Sequence, residues 1–322
     1  MKQEGTPFDD VFRTLLEKCT ELIIPIINEI FGTHYEMSDS ITLNTNEHYF
    51  TDTNGNRQKR ITDSLITIMN HKYHIECESR PGKYIAVRIV EYGFHIALTD
   101  AQTNMKTISY KSTGNFVQEP AYTLRFPQSA VLYLRHNKNT PDNLFVRLIL
   151  PDDTTAVYRI PVMKAQKYTK ADIINKNLLF LIPFYILKFE NCLQQINSQP
   201  DRIHYLVQEY NDIYEHLKVL QEDGSLNEKQ LHDLIEITEC LLNIVAAKAD
   251  NVKREVTIMG GKVLELESDR LIAKGISEGI SQGITQSISA IMRKLNISFE
   301  EACDMCDVPK EQYDLYRQLI EK

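Results

Sequence analysis

The chain has 322 residues, of which 43% are hydrophobic and 25% are charged, values that are ordinary for a globular protein of one large or two medium domains. A chain of this size buries roughly three quarters of its unfolded surface, so its fold does not require disulfide staples. The formal net charge of -8 argues weakly against a passive nucleic-acid coat protein, but it does not exclude an enzyme with a local basic cleft.

The apolar segments of the chain are short. The longest one covers residues 178–187 and contains Pro183, whereas a helix that crosses a bilayer needs roughly twenty apolar residues. The first thirty residues contain acids and lack the small-residue cleavage motif of a secretory signal. We therefore expect a cytoplasmic protein that does not enter a membrane.

The first half of the chain combines helical and strand patterns. Apolar side chains at helical spacing predict one helix over residues 8–31, which Gly32 ends, and a second helix over residues 83–100. Segments rich in Ile, Val, Thr and Tyr predict strands at residues 41–50, 60–69, 72–79, 130–135, 144–150 and 156–162.

The second half is predicted to be helical. Helices are expected over residues 171–196, 202–221, 227–248 and 264–295, followed by two short helices. An alternating part followed by an all-helical part predicts an α/β core with a helical extension. We divide the chain into residues 1–165, a helical region at 166–260, and the C-terminal helices at 261–322.

The most informative segment is RITDSLITIMNHKYHIECES, which reads as a β-hairpin. A two-residue turn at Asn70 and His71 would place Asp63 opposite Glu78. Because side chains alternate along a strand, Asp63, Glu76 and Glu78 would then project from one face. A hairpin loop with an odd number of residues would instead separate Asp63 from the two glutamates.

Three carboxylates on one patch repel each other unless a positive charge joins them. A hard divalent cation, Mg²⁺ or Mn²⁺, prefers such oxygen ligands and can activate water beside a phosphate. Residues 53–90 carry seven basic side chains and three acids, which fits a cleft for a phosphate backbone. The alternative is a solvated strand face on which the acids pair with nearby Arg and Lys. This alternative stays open because an acid followed by ExE is a weak motif when it stands alone.

The stretch KRITDSLITIMNHKYHIECES, followed by VRIVEYGFHIAL, resembles the Rpn group of recombination-promoting nucleases in the PD-(D/E)XK superfamily. The resemblance implies a restriction-endonuclease-like core, a mixed sheet flanked by helices. It matches Asp63 to the first metal-binding acid and Glu76 to the second. It places Arg88 and Tyr92 on the helix after the active strand. The implied activity is Mg²⁺- or Mn²⁺-dependent cleavage of DNA in transposition or recombination.

Other segments extend the resemblance over nearly the whole chain. The segment IIPIINEIFG looks like the group's first helix, where an acid, here Glu29, often lies near the metal. LLFLIPFYILKFE and a later glycine-repeat helix resemble the group's later segments. With the site so placed, Arg60 and Lys83 are candidates to support a substrate phosphate.

Position 78 departs from the family pattern. The superfamily has Lys there, the Rpn group commonly has Gln, and this chain has Glu78. An ionised glutamate offers neither the positive charge nor the hydrogen-bond donor that would stabilise a transition state. Three explanations stay open: a nearby cation such as Arg80, Lys83 or Arg88 compensates, the metal preference is altered, or the domain is a catalytically inactive binding or regulatory protein.

Neighbouring side chains allow more than one interpretation. His74 shares the strand face of Glu76 and could approach a metal, although a strand histidine more often packs or forms hydrogen bonds. Cys77 points to the opposite face and is expected in the core. Tyr92 could stack at the site or pack as an ordinary helix aromatic.

The C-terminal region contains a repeat, GISEGISQGITQ. Gly275, Gly279 and Gly283 would line one stripe of a helix, a pattern that favours close approach of another helix, including one from a second subunit. The alternative is a repeat in a tolerant surface helix.

The last helices could form a helix-turn-helix that binds DNA. Residues 291–322 hold five basic and seven acidic side chains, a balance that is poor for phosphate contact. We instead predict a small helical bundle with a capping box formed by Ser298 and Glu301. Cys303 and Cys306 form the one CxxC pair and are interpreted as buried packing residues.

Overall fold

A computed structural model describes residues 7–44, 47–51, 57–61, 64–101, 105–112, 115–295, 297–306 and 308–320. The chain divides into two compact units, Met1–Gly260 and Gly261–Lys322. Among the described residues, no helix has both the length and the hydropathy needed to cross a membrane.

The strands all lie in the first unit. They are β1 (Ile41–Leu43), β2 (Glu47–Thr51), β3 (Arg57–Ile61), β4 (Leu65–Ile68), β5 (His71–Glu78), β6 (Met105–Ser112), β7 (Asn115–Tyr122), β8 (Gln128–Tyr133), β9 (Asn143–Ile149) and β10 (Thr155–Lys164). The β6–β7 hairpin was not anticipated from the sequence.

Six of these strands form one mixed sheet in the order β1-β4-β5-β8-β10-β9. Strand β5 is antiparallel to β4 and parallel to β8, and β8 is parallel to β10. Helices cover both faces of the sheet, which confirms the α/β class. The core of β5 is therefore buried on both sides, as expected of a central strand with helices above and below.

The helices occupy both units. They are α1 (Pro7–Lys18), α2 (Ile24–Phe31), α3 (Ile85–Ala101), α4 (Lys170–Asn175), α5 (Leu193–Asn197), α6 (Pro200–Glu222), α7 (Glu228–Val245), α8 (Asp250–Leu295), α9 (Phe299–Met305) and α10 (Tyr313–Ile320).

Two of the predicted long helices are interrupted. The first breaks into α1, a 3₁₀ turn at Thr20–Ile23 and α2, because Pro25 lacks an N–H and its ring would clash with the preceding turn. Gly32 ends α2 in the left-handed conformation (φ 68), as predicted. The second was expected over residues 171–196, but it contains the 3₁₀ segment Leu179–Lys188 with Pro183 inside it.

The β4–β5 hairpin has an even loop, as assumed, but the turn lies one residue earlier than predicted. Ile68 pairs with His71, so Met69 and Asn70 form the loop, and Met69 is left-handed (φ 52). Both registers keep each side chain on the same face, so the hydrophobic pattern could not distinguish them. The hydroxyl of Ser64 continues the pairing by bonding to both the N–H and the C=O of Ile75.

The two faces of the sheet have different coverings. On one face, Val131, Tyr133 and Ile160 pack against Ile85 and Ile89 of α3. On the other face, the Tyr73 ring of β5 lies 5.1 Å from the Phe31 ring of α2, centroid to centroid. Even-numbered residues of β5 consequently face α3.

The second unit has its own small core. Ile288, Ala302, Cys303, Val308 and Tyr316 are buried together, and Cys303 is fully buried as a packing residue. The predicted capping box is confirmed, since the Ser298 hydroxyl and the Glu301 carboxylate bond each other's backbone N–H at the start of α9.

The glycine stripe lies in α8. Gly283 is exposed, and nothing lies within 4 Å of the position that a Cβ would take there. Association of this helix with a second copy stays a prediction.

Candidate active site

The candidate site is built on the carboxyl end of β5. Glu76 is only 2% exposed, and Glu78 is half-buried beside it on the face that α3 covers. A carboxylate in such a position must be paired, since burying an isolated charge is costly. The partners of Glu76 and Glu78 come from α3 and from β5 itself.

Arg88 supplies the positive charge. It lies in the first turn of α3, where its backbone N–H donates to the carbonyl of Tyr84. Its Nη2 lies 3.1 Å from Glu76 Oε2 and also contacts Glu78 Oε1. One guanidinium nitrogen thus joins both carboxylates. Among the described residues, the buried Arg88 Nε has no hydrogen-bond partner.

A second chain of hydrogen bonds reaches Glu76 through His74. His74 Nε2 lies 2.8 Å from Glu76 Oε1, and Nδ1 lies 3.3 Å from Ser129 Oγ on β8. The Tyr158 hydroxyl of β10 donates to Ser129 Oγ at 3.0 Å. Donation from Tyr158 to Ser129, from Ser129 to His74 and from His74 to Glu76 satisfies every member with Glu76 ionised. Three adjacent strands therefore hold one oxygen of Glu76.

The electrostatics of Glu78 combine opposing effects. Burial raises its pKa, Arg88 lowers it, and the charges of Glu76 and of Asp9 on α1 raise it again, with a net rise. Arg88 responds in the opposite sense: burial alone would lower its pKa, but Glu76 and Glu78 raise it above its ordinary value. Arg88 thus opposes the effect of burial on the pKa of Glu78.

The structure brings together several of the predicted site residues. Glu76, Glu78 and Arg88 are in direct contact, and Tyr92 is buried with its ring edge-on to His74 at 5.8 Å between centroids. Of the three cations that could compensate for position 78, Arg88 is seen to point toward the carboxylates. The position of Tyr92 is that of a packing aromatic that helps to hold the His74 ring.

Other predicted residues lie elsewhere. Glu29 accepts hydrogen bonds from Tyr168 at 3.1 Å and Lys176 at 2.6 Å, on a helix that packs through Phe31 against the other face of the sheet. Its assignment as a metal ligand stays a prediction. Lys83 is exposed in the turn before α3.

Asp63 lies outside the described residues, so its distance from Glu76 is not part of this structure. Arg60 lies in β3, which pairs with β2.

Sequence reasoning missed Asp9, Ser129 and Tyr158. Asp9 is an acid in the first turn of α1, where the helix dipole alone would explain it. Ser129 lies 55 positions from His74 along the chain, and the two meet only because β5 and β8 pair in parallel. No local pattern marks such a contact.

The carboxylate oxygens of Glu76 and Glu78 are suitable ligands for a hard cation. The carboxylates of Glu76 and Glu78 already converge on one positively charged nitrogen, Arg88 Nη2, and carboxylate oxygens are the ligands that Mg²⁺ and Mn²⁺ prefer. A metal there would require the Arg88 side chain, which is 27% exposed, to move aside or to turn toward a phosphate.

One other group of potential ligands exists among the described residues. Ligand atoms of His232, Asp233 and Glu236 lie within 4.8 Å of one another on α7. The ammonium of Lys18 lies 2.6 Å from Asp233 and 3.7 Å from Glu236, so this cluster already contains a cation. We do not assign a metal to it.

Comparisons of the chain with protein-family models, with curated proteins and with solved structures found no match.

The pairing of Arg88 predicts a pH-dependent stability. Because the pKa of Glu78 is raised in the folded state, the folded chain holds more protons than the unfolded chain above the ordinary glutamate range, and stability falls as pH rises. Arg88→Gln removes the cation that opposes this rise. We expect the variant to lose about 1–3 kcal/mol more than the native chain between pH 5 and pH 8, the cost of an uncompensated part-buried carboxylate.

Urea unfolding at several pH values measures this difference. In the double variant Arg88→Gln, Glu78→Gln the additional slope should shrink, because the titrating group is gone. Parallel stability curves for the native chain and Arg88→Gln would show that Glu78 does not depend on Arg88.

Proposed function

We propose that this chain is a metal-dependent DNA endonuclease with a PD-(D/E)XK core, acting in transposition or recombination. The observation that carries the proposal is the convergence of the Glu76 and Glu78 carboxylates on a single positive charge at the carboxyl end of a central strand. A mixed sheet flanked by helices is the fold that the sequence resemblance implies, and it supports the same conclusion.

In this proposal, Glu76 and Asp63 hold Mg²⁺ or Mn²⁺, with Glu78 as a third oxygen ligand or as the partner of Arg88. The metal, when bound, would lower the pKa of a bound water and stabilise charge on the phosphate. Among the chain's own groups, His74 holds one oxygen of Glu76 and Arg88 holds the other, so the Arg88 side chain would have to turn away for that second oxygen to bind the metal.

Arg88 would take the place of the missing lysine. Its guanidinium already lies beside both carboxylates, and its buried Nε has no hydrogen-bond partner among the described residues. A guanidinium that is planar and always charged suits bidentate binding of a phosphate. We propose that it contacts the substrate phosphate.

The same contacts favour a second function. Because Arg88 pairs with both Glu76 and Glu78, a side chain of the chain itself balances the two carboxylates, as in a buried structural network. A nuclease fold of this kind could bind DNA or regulate another protein without cutting. The behaviour of Arg88 distinguishes the two functions. Its guanidinium must release the carboxylates for catalysis, but not for DNA binding alone.

The test is cleavage of supercoiled plasmid DNA by the full chain with Mg²⁺, with Mn²⁺ and with EDTA. A nuclease should nick the plasmid only with metal, and Asp63→Ala should remove the activity. Asp201→Ala, on the exposed first turn of α6, is the matched control for loss of a carboxylate. Absence of metal-dependent cleavage, with DNA binding retained, would favour the non-catalytic function.

A further inference from the structure

The row of side chains that contains Glu78 continues across the sheet. Glu78 pairs with Tyr133 of β8, and Tyr133 pairs with Lys164 of β10, so the three residues lie in register on the face that α3 covers. Neighbouring strands are about 4.8 Å apart, which places the Lys164 backbone about 10 Å from that of Glu78 along the carboxyl edge of the parallel strands.

Lys164 is a charged residue in a buried position. It is 5% exposed, and its ammonium donates to the carbonyl of Thr140 at 2.5 Å and to Asp142 Oδ1 at 2.7 Å. Lys167, whose side chain is 56% exposed, reaches the same Asp142 oxygen at 3.3 Å. One carboxylate therefore serves two lysines, and that carboxylate is 74% exposed.

His136 adds a group with unused hydrogen-bonding capacity. It follows β8, and its backbone N–H donates to Gln166 Oε1 at 3.2 Å. Its ring nitrogen Nδ1 is buried and has no hydrogen-bond partner in the described part of the chain. Burial lowers the pKa of His136, and the charges of Lys164 and Lys167 lower it further. We call Lys164, Lys167 and His136 the basic cluster.

We propose that the basic cluster binds a phosphate of the DNA backbone next to the one that Arg88 contacts, and that the Asp142 carboxylate occupies this position when DNA is absent. The inference rests on the proposed function, because it takes DNA as the ligand. A phosphate supplies negative charge next to the two lysines and the histidine, and its oxygens can accept hydrogen bonds from all three side chains.

The position of the Asp142 carboxylate beside Lys164 and Lys167 supports an anion as the ligand of the basic cluster. The hydrogen bonds from Lys164 and Lys167 hold the pKa of Asp142 below its ordinary value, so the carboxylate remains ionised there. It is an exposed side chain that can leave without exposing apolar surface. A metal ion is disfavoured at the same place by the two ammonium groups.

The experiment measures binding of a fluorescently labelled DNA duplex to the full chain by anisotropy, in EDTA, at several salt concentrations. Lys167→Ala should weaken binding by about 3- to 10-fold and reduce the slope of log affinity against log salt by about 1. Asp142→Asn should strengthen binding by about threefold or more, because it removes the competing carboxylate. Lys218→Ala, at a half-buried lysine of α6 outside the cluster, is the control for loss of a lysine.

Lys167 and Asp142 are chosen because both are exposed, so their variants should fold. The inference is overturned if both variants bind like Lys218→Ala, or if the native chain does not bind the duplex. If the variants change DNA affinity but the chain does not cleave DNA in Mg²⁺, phosphate binding by the basic cluster is supported and the nuclease function is rejected. If the chain cleaves DNA but the variants do not change its affinity, the nuclease function is supported and phosphate binding by the basic cluster is rejected.

Discussion

Glu76→Gln is expected to reduce metal-dependent DNA cleavage by about 1,000-fold while leaving the metal-free affinity for DNA within about twofold of the native value. Glutamine keeps the shape of the side chain and can still accept a hydrogen bond from His74, but it cannot supply the negative charge that a divalent cation requires. The loss should therefore fall on the catalytic step.

The surroundings of Glu76 explain the size of the expected effect. Its side chain is 3% exposed and is held on one oxygen by His74 and on the other by Arg88. Because His74 and Arg88 hold the side chain at position 76 in place, a small shift of that side chain cannot replace the metal ligand that Glu76→Gln removes.

Plasmid cleavage and duplex binding measure the two quantities separately, and circular dichroism with urea unfolding checks the fold. Glu215→Gln is the control, since that carboxylate is 71% exposed and pairs with Lys218 on α6. Undiminished cleavage by Glu76→Gln would remove Glu76 from the catalytic site and leave it as a structural partner of Arg88.

The local parts of this site could be predicted from the sequence. Alternation along β5 places Glu76 and Glu78 on one face, and helical spacing places Arg88 one turn into α3, which immediately follows that strand. Short connections between neighbouring elements leave few other arrangements, so the contact of Arg88 with both carboxylates follows from nearby residues alone.

The non-local parts could not be predicted. Ser129 and Tyr158 meet His74 through the parallel pairing of β5, β8 and β10, which no short pattern specifies. The turn of the β4–β5 hairpin lies one residue earlier than predicted and holds Met69 in a left-handed conformation that is unfavourable for its type, so residue preference did not indicate it. Pro25 lies inside the helix that was predicted over residues 8–31, although its missing N–H made an interruption there predictable.

Glu78→Lys is expected to lower both stability and cleavage, and it decides between an adapted and a decayed site. The substitution restores the lysine of the superfamily, but in this chain it would place an ammonium beside Arg88. Both side chains are mostly buried, at 27% and 20% exposure, so the native pair is replaced by two neighbouring cations. Breaking such a pair costs about 3–5 kcal/mol when it is fully buried, and we expect about 2–4 kcal/mol here because water screens part of the charge.

The effect on cleavage depends on how the site works. If Glu78 is a ligand or the partner that positions Arg88, the new ammonium competes with the metal, and the rate should fall by about 100- to 1,000-fold. If the site has lost its activity, the lysine adds charge where the phosphate becomes more negative, and the rate should rise from near zero. The direct contact of Arg88 with both glutamates favours adaptation, since this side chain already places a positive charge beside them.

Two further variants separate the electrostatic effect from loss of the fold. Glu78→Gln restores the residue common in the Rpn group without adding a charge, so it should be more stable than Glu78→Lys. The double variant Glu78→Lys, Arg88→Gln has one cation at the site instead of two, and it should recover most of the lost stability. Faster cleavage by Glu78→Lys than by the native chain would show a decayed site. Equal cleavage by Glu78→Lys and by the native chain, with Asp63→Ala inactive, would show that position 78 takes no part in the reaction. A charge reversal beside Arg88 and Glu76 would otherwise change the cleavage rate.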